Sequence, residues 1–202
     1  MALSTRLQTI ASLINEGANV ADIGADHGLL SIYLVEKGLA NSVFAVENKV
    51  GPYQTLVENT TGYPSIKTSL SDGLDELPED VNSIVIAGMG GLLITDILKK
   101  NKDKLKCVSQ IVIDAHRDIE QCGLFLEKVG FYPKDIRIVH EKVYYLVINF
   151  TREKLNKSVD ELAQKDPLFE EYKKHLLDLY NRNYAKNHSP DLQRRMERLK
   201  QL

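Results

Sequence analysis

Long apolar runs, cysteines and clustered histidines are scarce in this chain of 202 residues. It contains no apolar run of about 18 residues, so a membrane-spanning helix is not expected. The first residues lack the long apolar segment of a signal peptide. The two cysteines, Cys107 and Cys122, and the scattered histidines have no metal-ligand spacing. We therefore expect a monomeric cytoplasmic protein with free thiols, no bound metal and no membrane association.

Charge is nearly balanced overall but is unevenly distributed. Residues 151–202 carry 12 basic and 9 acidic residues, whereas the preceding 150 carry 14 and 19. A basic tail on an acidic body is compatible with a polyanionic partner such as nucleic acid. Alternatively, the basic residues of 151–202 belong to a solvent-exposed helical surface and form ion pairs within the helices.

Apolar, β-rich segments alternate with helical patterns through the first 150 residues, which predicts βαβ units and a parallel sheet. No helical pattern separates the last two strands, which indicates an antiparallel hairpin at the sheet edge. Seven strands with a terminal hairpin are typical of the Rossmann-like α/β fold of class I S-adenosylmethionine-dependent methyltransferases. The predicted strands are 18–24, 41–47, 65–70, 82–89, 109–115, 132–141 and 142–150, with helices near 28–37, 50–60, 91–101 and 117–129.

Strand patterns stop after residue 150, and two helix-start signals follow. Asp166-Pro167 and Ser189-Pro190 each pair a capping residue with proline at the first helical turn. The polar stretch 185–188 would join the two helices. We therefore divide the chain into a methyltransferase domain over 1–150 and a coiled-coil-like helical hairpin over 151–202 that packs on it.

The end of the first strand concentrates chemistry-bearing residues. Asp22, Gly24, Asp26, His27 and Gly28 follow the pattern D-x-G-x-x-x-G, in which the glycines allow a sharp turn close to a ligand. An aspartate at position 26 would repel the diphosphate of NAD, whereas it would attract a sulfonium and an ammonium group. The pattern favours S-adenosylmethionine as cofactor. The alternative is that Asp22 and Asp26 are only turn and N-cap residues.

Ligands of open parallel sheets bind beyond the carboxyl ends of the strands, so the other strand ends complete the predicted site. Glu47 is placed to accept hydrogen bonds from ribose hydroxyls, and Asp72 with Gly73 suits the adenine amine. After the fourth strand come glycines that allow close ligand approach or, alternatively, tight packing of a strand–helix corner. We assign Ala87 and Gly88 to the cofactor and Met89, Gly90 and Gly91 to the substrate.

Five segments together resemble the bacterial TrmK family of tRNA (adenine-N1)-methyltransferases, which act at tRNA position 22. The segments are 3–8 (LSTRLQ), 21–27 (ADIGADH), 51–52 (GP), 71–73 (SDG) and 86–91 (IAGMGG). The resemblance covers the whole chain. It implies that Asp26 and His27 face the methyl-transfer centre and that Arg6 lies near the cleft. It also implies cofactor contacts from Asp22, Gly24, Glu47, Asp72 and Gly73.

The chain departs from the family pattern at three places. Leu29 and Ser31 stand where an aromatic residue and a proline are frequent, and 114–116 (DAH) replaces a Q-P-N-like stretch. The resemblance leaves open whether Asp114 and His116 contact the target base, and no catalytic role is carried over to them. The helical hairpin is also shorter than in the family, which bears on the extent of tRNA contact.

Methylation at adenine N1 makes modest demands on the protein. The N1 lone pair can attack an activated methyl group directly, and the product carries positive charge shared between N1 and N6. A carboxylate near that edge would stabilise the charge, and we assign this role to Asp26. His27 would orient Asp26 or contact RNA phosphate; alternatively, it only makes a hydrogen bond at the helix start.

Binding of tRNA by an acidic body requires a local basic surface. Two alternatives stay open: a methyltransferase of another RNA, a small molecule or a protein, and a cofactor- or RNA-binding protein without catalysis. The candidate RNA contacts are Arg6 and Lys49 near the cleft, and Lys173, Lys174, Arg182, Lys186, Arg194, Arg195 and Arg198 on the helical hairpin.

Overall fold

The computed structural model describes residues 3–115 and 117–202, and its centre is a seven-stranded mixed sheet of order β3-β2-β1-β4-β5-β7-β6. The predicted fold class is confirmed. The strands are β1 (Ala18–Ile23), β2 (Ala40–Glu47), β3 (Ile66–Leu70), β4 (Ser83–Met89), β5 (Gln110–Ala115), β6 (Tyr132–His140) and β7 (Tyr144–Thr151). The helices are α1 (Thr5–Ser12), α2 (Leu29–Glu36), α3 (Val50–Thr60), α4 (Gly91–Lys100), α5 (Ile119–Lys128), α6 (Val159–Ala163), α7 (Phe169–Asn187) and α8 (Pro190–Gln201), with a 3-10 helix at Lys102–Cys107.

The central strands are buried on both faces, as expected for a parallel sheet covered by helices. Alternate residues of β4 enter different halves of the core: Ile84 and Ile86 pack on one side of the sheet, and Val85 packs on the other. This continuous apolar character explains why the sequence pattern locates these strands. The sheet thereby becomes a rigid support whose carboxyl edge carries the polar residues.

The terminal hairpin brings unexpected residues to that edge. Strand β7 runs antiparallel to β5, with Asp114 opposite Val147 and Gln110 opposite Thr151. The first residues of β7, Tyr144 and Tyr145, therefore lie at the edge where β1 to β5 end. The turn between β6 and β7 lies at the same edge.

The helical hairpin exists, but its boundaries differ from the predicted ones. Helix α7 begins at Phe169 because Asp166 accepts hydrogen bonds from the amides of Leu168 and Ile138, at 2.9 Å each, and so ties this turn to β6. Helix α7 then continues through most of the predicted linker, and the chain reverses at His188, whose φ is +47°.

Helix α6 was not predicted, although its sequence carries a recognisable start signal. The Ser158 hydroxyl accepts a hydrogen bond from the Glu161 amide, and the Glu161 carboxylate accepts one from the Ser158 amide. This reciprocal capping satisfies two backbone donors that would otherwise be unpaired. The spacing S-x-x-E at 158–161 is the signal that could have located the helix.

The C-terminal helices share the core of the sheet, as the predicted packing requires. Leu162, Ala163 and Phe169 are buried in the same cluster as the strands. Arg198 of α8 forms ion pairs with Glu120 of α5 at 2.9 Å and with Asp160 at 2.6 Å. The division of the chain at residue 150 stays a prediction. Over the described ranges, every helix is too short or too polar to cross a membrane.

Candidate active site

A cleft of about 700 Å³ opens at the carboxyl edge of the sheet. It is formed by the ends of β1, β2 and β4, the loop after β3, the first turn of α1 and the start of β7. Most of the predicted site residues, although far apart in sequence, line this one cleft: Arg6, Asp22, Gly24, Asp26, His27, Glu47, Lys49, Asp72, Gly73, Ala87, Gly88 and Met89.

The turn after β1 depends on a glycine. Gly24 has a φ of +76°, in the left-handed region that favours glycine, and its amide donates to the Val46 carbonyl at 2.8 Å. A Cβ at this position would lie 2.3 Å from the Met89 Cε, so the glycine also makes room for the side chain at the end of β4. The turn after β1 and the end of β4 therefore meet closely at the centre of the cleft.

Asp22 combines a structural contact with a position in the cleft wall. Its carboxylate accepts a hydrogen bond from the Ser31 hydroxyl at 2.7 Å. Burial raises the pKa of Asp22 to about 6 because the ionised form loses its hydration. Ser31, which departs from the family pattern, is thus explained as the partner of this buried acid.

Glu47 connects the turns after β1 and β2. One carboxylate oxygen accepts hydrogen bonds from the amides of Asn48 and Lys49 at 3.0 Å each, and the other accepts one from the Asp26 amide at 3.3 Å. A carboxylate can accept about four hydrogen bonds in total. The buried Glu47 is therefore held rigidly and retains the capacity to accept a bond from a ligand hydroxyl.

The loop after β3 places Asp72 and Gly73 on the cleft wall. Asp72 lies 3.3 Å from Lys100 of α4, which also pairs with Asp75 at 2.9 Å. Gly73 has a φ of +58°, and a Cβ there would lie 2.8 Å from Ile97. Lys100 is a neighbour that the sequence did not indicate, and it fixes this loop against α4.

Asp26 projects from a strained turn into the open part of the cleft. Its φ is +51°, a conformation that aspartate tolerates better than most residues, and its side chain is 66% exposed. The N-cap of α2 is Gly28, so the alternative reading of Asp26 as an N-cap is wrong. The exposed carboxylate is therefore available for a ligand.

His27 does not hold Asp26 by a hydrogen bond in this structure. The His27 Nε2 lies 3.8 Å from Asp26 Oδ1, beyond hydrogen-bonding distance, and the His27 side chain is half exposed. The His27 backbone carbonyl accepts a bond from the Asn59 side chain at 2.9 Å. The predicted orienting role of His27 thus rests on proximity to Asp26 and not on a hydrogen bond.

Gly90 and Gly91 are not among the residues that line the cleft, in contrast to their predicted substrate contact. The Gly91 amide donates to the Arg117 carbonyl at 2.8 Å, and a Cβ at Gly91 would lie 2.3 Å from the Asp118 carbonyl oxygen. Gly90 is the N-cap of α4 and also faces Arg117. These contacts of Gly91 favour the alternative of tight packing at a strand–helix corner, and its substrate contact stays a prediction.

One functional candidate, Tyr145, was not predicted, and another, Asp114, was named from the sequence without an assigned role. Tyr145 lines the cleft, and Asp114, at the end of β5, is fully buried with its Oδ2 2.7 Å from Arg6 Nη1. The antiparallel direction of the predicted hairpin could have placed Tyr145 at this edge. His116 lies outside the described residues.

The basic residues of the helical hairpin differ in their surroundings. Arg198 is held between Glu120 and Asp160, which argues against its predicted role as an RNA contact. Arg195 and Arg194 both pair with Asp191, at 2.8 Å and 3.7 Å.

Lys173 and Lys174 have a more favourable position. Neither forms an ion pair with another described residue. They lie in sequence between Tyr172 and His175, whose rings contact Tyr144 at the sheet edge. This part of α7 therefore packs against the start of β7, at the edge of the sheet that carries the cleft, and it carries positive charge.

The cleft wall is acidic. Asp22, Asp26, Glu47 and Asp72 outnumber the cations Arg6 and Lys49. Such a lining suits a cationic ligand better than a polyphosphate. In the part of the chain that the structure describes, no group of three or more His, Cys, Asp or Glu residues is arranged to hold a metal ion.

A sheet of this order with an acidic cleft at its carboxyl edge defines the class I methyltransferase fold. Residues 3–148 match the family model described as "Methyltransferase domain", and the chain belongs to this family. The resemblance noted from the sequence motifs is confirmed by similarity to characterised relatives.

One relative is the tRNA (adenine(22)-N(1))-methyltransferase of Bacillus subtilis strain 168. It is 38% identical over 117 residues, which are 56% of this chain and 49% of that protein. The aligned region thus spans about half the length of that relative. The structure is also similar to the crystal structure of the B. subtilis m1A22 tRNA methyltransferase TrmK. The similarity covers 99% of this chain and 95% of that chain, with a TM-score of 0.77 and 26% identity.

A second solved structure is a Streptococcus pneumoniae protein in complex with S-adenosyl-L-methionine. It is 27% identical, covers 99% of both chains and has a TM-score of 0.88.

Proposed function

We propose that this protein is a tRNA methyltransferase that transfers a methyl group from S-adenosylmethionine to N1 of the adenine at tRNA position 22. The observation that carries the proposal is the meeting of the strand-end residues in one acidic cleft. The similarity to the B. subtilis m1A22 enzyme and to the cofactor-bound Streptococcus protein supports the substrate and the cofactor. A tRNA substrate implies a cytoplasmic enzyme.

The residues of the cleft fit S-adenosylmethionine. We assign Glu47 to the ribose hydroxyls because its carboxylate is fixed by three backbone amides and can accept further bonds. Asp72 and Gly73 are assigned to the adenine amine of the cofactor. Asp22, with Gly24, Ala87 and Gly88 beside it, faces the cationic methionine part. Met89, whose side chain lies against Gly24, is assigned to the substrate.

The cofactor supplies an electrophilic methyl group, so the protein has mainly to align and stabilise. Alignment of two reactants lowers the barrier because it removes their freedom of motion before the reaction. We assign to Asp26 the stabilisation of the positive charge that grows on the adenine, since its carboxylate is exposed toward the cleft. It can also accept a hydrogen bond from the adenine N6.

Transfer of labelled methyl groups to tRNA tests the proposal. The protein would be incubated with methyl-labelled S-adenosylmethionine and unmodified tRNA transcripts, with adenine or guanine at position 22. We expect label in the first transcript and background in the second. Equal labelling of both transcripts would contradict the assigned position, and no labelling of either would contradict tRNA as the substrate.

The buried carboxyl of Asp22 predicts a pH-dependent stability. Its folded pKa of about 6 lies above the unfolded value of 3.8, so the protonated form stabilises the fold. This stabilisation is complete below the unfolded pKa and is lost as the pH rises through about 6. The variant Asp22→Asn cannot ionise, and we expect it to be more stable than wild type by about 3 kcal/mol at pH 7.

Urea unfolding at several pH values measures this difference. The advantage of Asp22→Asn should shrink as the pH falls from 7 to 4, mostly below about pH 6, while Asp80→Asn, at an exposed position outside the cleft, should show no such trend. A constant difference across that range would show that ionisation of Asp22 is not its cause. Cofactor affinity should rise with pH in wild type and stay flat in Asp22→Asn.

Lys173 and Lys174 are expected to supply part of the affinity for tRNA. Replacing both with alanine should weaken tRNA binding about tenfold and lower the slope of log affinity against log salt by about 1 to 2, because each phosphate contact contributes about 0.9. The matched control replaces Lys102 and Lys106, which lie before β5 and thus at the opposite edge of the sheet. Filter binding at several salt concentrations measures both.

Point variants are preferable here to removal of the hairpin. Deleting residues 151–202 would take Leu162, Ala163 and Phe169 out of the core and is expected to destabilise the whole fold. If Lys173 and Lys174 can be replaced without changing the salt slope, the tRNA does not contact this face of α7.

A further inference from the structure

We propose that Tyr145, Arg6 and Asp114 form the wall that holds the target adenine, with Tyr145 in contact with the base. In this wall, Asp114 is a positioning residue for Arg6. The inference deepens the proposed function and rests on it. It concerns the end of the cleft opposite the predicted cofactor residues, where Tyr145 and Asp114 had no assigned role.

The sheet order locates this wall. The cofactor residues Glu47 and Asp72 follow β2 and β3, on one side of the central strand β1. Tyr145 lies on β7 and Asp114 lies near the C-terminal end of β5, on the other side of β1 and beyond β4. Since Tyr145 and Arg6 line the same cleft as the cofactor residues, they occupy its far end. A substrate that meets the cofactor over β1 and β4 would contact them.

The three side chains form a connected unit. Arg6 Nη1 donates to Asp114 Oδ2 at 2.7 Å, and the Arg6 Cζ lies 5.1 Å from the centre of the Tyr145 ring. Asp114 is fully buried, and its Oδ1 has no hydrogen-bond partner among the described residues. The Arg6 amide is tied to Glu141 at 2.9 Å. Arg6 is thus fixed from two directions and supports the tyrosine ring.

Charge compensation explains why the arginine is paired. An isolated guanidinium at the substrate end would repel the positive charge that adenine acquires on N1 methylation. Pairing with the buried Asp114 makes the unit neutral, so the wall does not oppose the reaction. The tyrosine ring then offers an aromatic surface, and exposed RNA bases commonly stack on such rings and on arginine planes.

Kinetics with tRNA separate this role from a structural one. We expect Tyr145→Leu to raise the KM for tRNA about tenfold or more, because one stacked base is lost, while the KM for S-adenosylmethionine stays within about twofold. Tyr145→Phe keeps the ring and should restore the KM for tRNA to within about threefold of wild type. The matched control is Tyr132→Leu, whose ring lies 5.3 Å from the Lys154 Nζ outside the cleft.

Asp114→Asn tests the positioning role. The side chain keeps its shape but leaves the Arg6 charge uncompensated, so kcat with tRNA should fall about tenfold while cofactor affinity stays unchanged. Thermal unfolding shows whether the variant is folded. If Asp114→Asn does not fold, the kinetics of the Tyr145 variants alone test the proposal.

A binding measurement without turnover separates this inference from the proposed function. Adenosine 5′-monophosphate would be observed by saturation-transfer NMR in the presence of saturating S-adenosylhomocysteine. We expect a signal with wild type and Tyr132→Leu and a loss of signal with Tyr145→Leu. Equal signals in all three, or none with wild type, would overturn the wall. Wild-type activity on tRNA tests the proposed function independently.

Discussion

Replacing Asp26 with asparagine is expected to lower kcat for tRNA methylation about 100-fold, the range typical for loss of one positioned catalytic group. Asparagine has nearly the same shape as aspartate and tolerates the left-handed backbone, where φ is +51° at this position. The variant therefore removes the charge that stabilises the methylated adenine without straining the turn. Cofactor affinity, measured by calorimetry, should change by less than about tenfold.

The chain offers a matched control for this variant. Asp118 also has a positive φ, +57°, and precedes a helix, but it is not among the residues that line the cleft. Asp118→Asn should retain kcat within about threefold of wild type. If Asp26→Asn retained wild-type kcat, Asp26 would have no part in charge stabilisation. A comparable loss in both variants would point to a conformational effect.

Replacing Gly91 with alanine is expected to destabilise the fold by about 3 kcal/mol, at the upper end of the usual cost of overpacking. The added Cβ would lie 2.3 Å from the carbonyl oxygen and 2.6 Å from the carbonyl carbon of Asp118. These are backbone atoms, so the β5–α5 loop or the start of α4 must move. For a chain of this size, the melting temperature should fall by about 6 to 12 °C.

Gly51→Ala is the control for this variant. Gly51 lies in the first turn of α3, and a Cβ there would meet nothing within 4 Å. Alanine restricts the unfolded chain, but it would precede Pro52, which disfavours helical backbone at a residue with a Cβ, so the stability should stay within about 1 kcal/mol of wild type. A clear loss of stability for Gly91→Ala and a small change for Gly51→Ala are the expected results of urea unfolding. Equal stability of Gly91→Ala and wild type would show that the backbone around Gly91 and Asp118 can shift at little cost in free energy.

The fold and the cofactor half of the site could be predicted because both depend on local patterns. Strands buried on both faces appear as continuous apolar runs, and the carboxyl ends of parallel strands meet at one edge. Glu47 and Asp72 therefore had to lie near the turn that contains Asp22 and Gly24. The missing helix before β7 likewise indicated the terminal hairpin.

Arg6 and Met89 were assigned to the substrate from the sequence and line the cleft, but the contacts of Arg6 with Asp114 and Tyr145 were not predicted because they join distant segments. Arg6 and Asp114 are 108 positions apart, and the sequence around either residue does not predict the ion pair between them. The role of Gly91 depends on the carbonyls of Arg117 and Asp118, so its own surroundings in sequence could not separate ligand approach from tight packing. Helix α7 begins later than the sequence predicts because the Asp166 carboxylate accepts a hydrogen bond from the Ile138 amide of β6.

Mapping the methylated atom tests the central proposal most directly. A methyl group on N1 blocks the base-pairing edge of adenine, so reverse transcription of the treated tRNA should stop one nucleotide 3′ to position 22. Mass spectrometry of the digested RNA should identify 1-methyladenosine at that position. We predict both results with wild type and a strongly reduced stop with Asp26→Asn. Methylation at another atom or another nucleotide, or a tRNA left unmodified, would contradict the account.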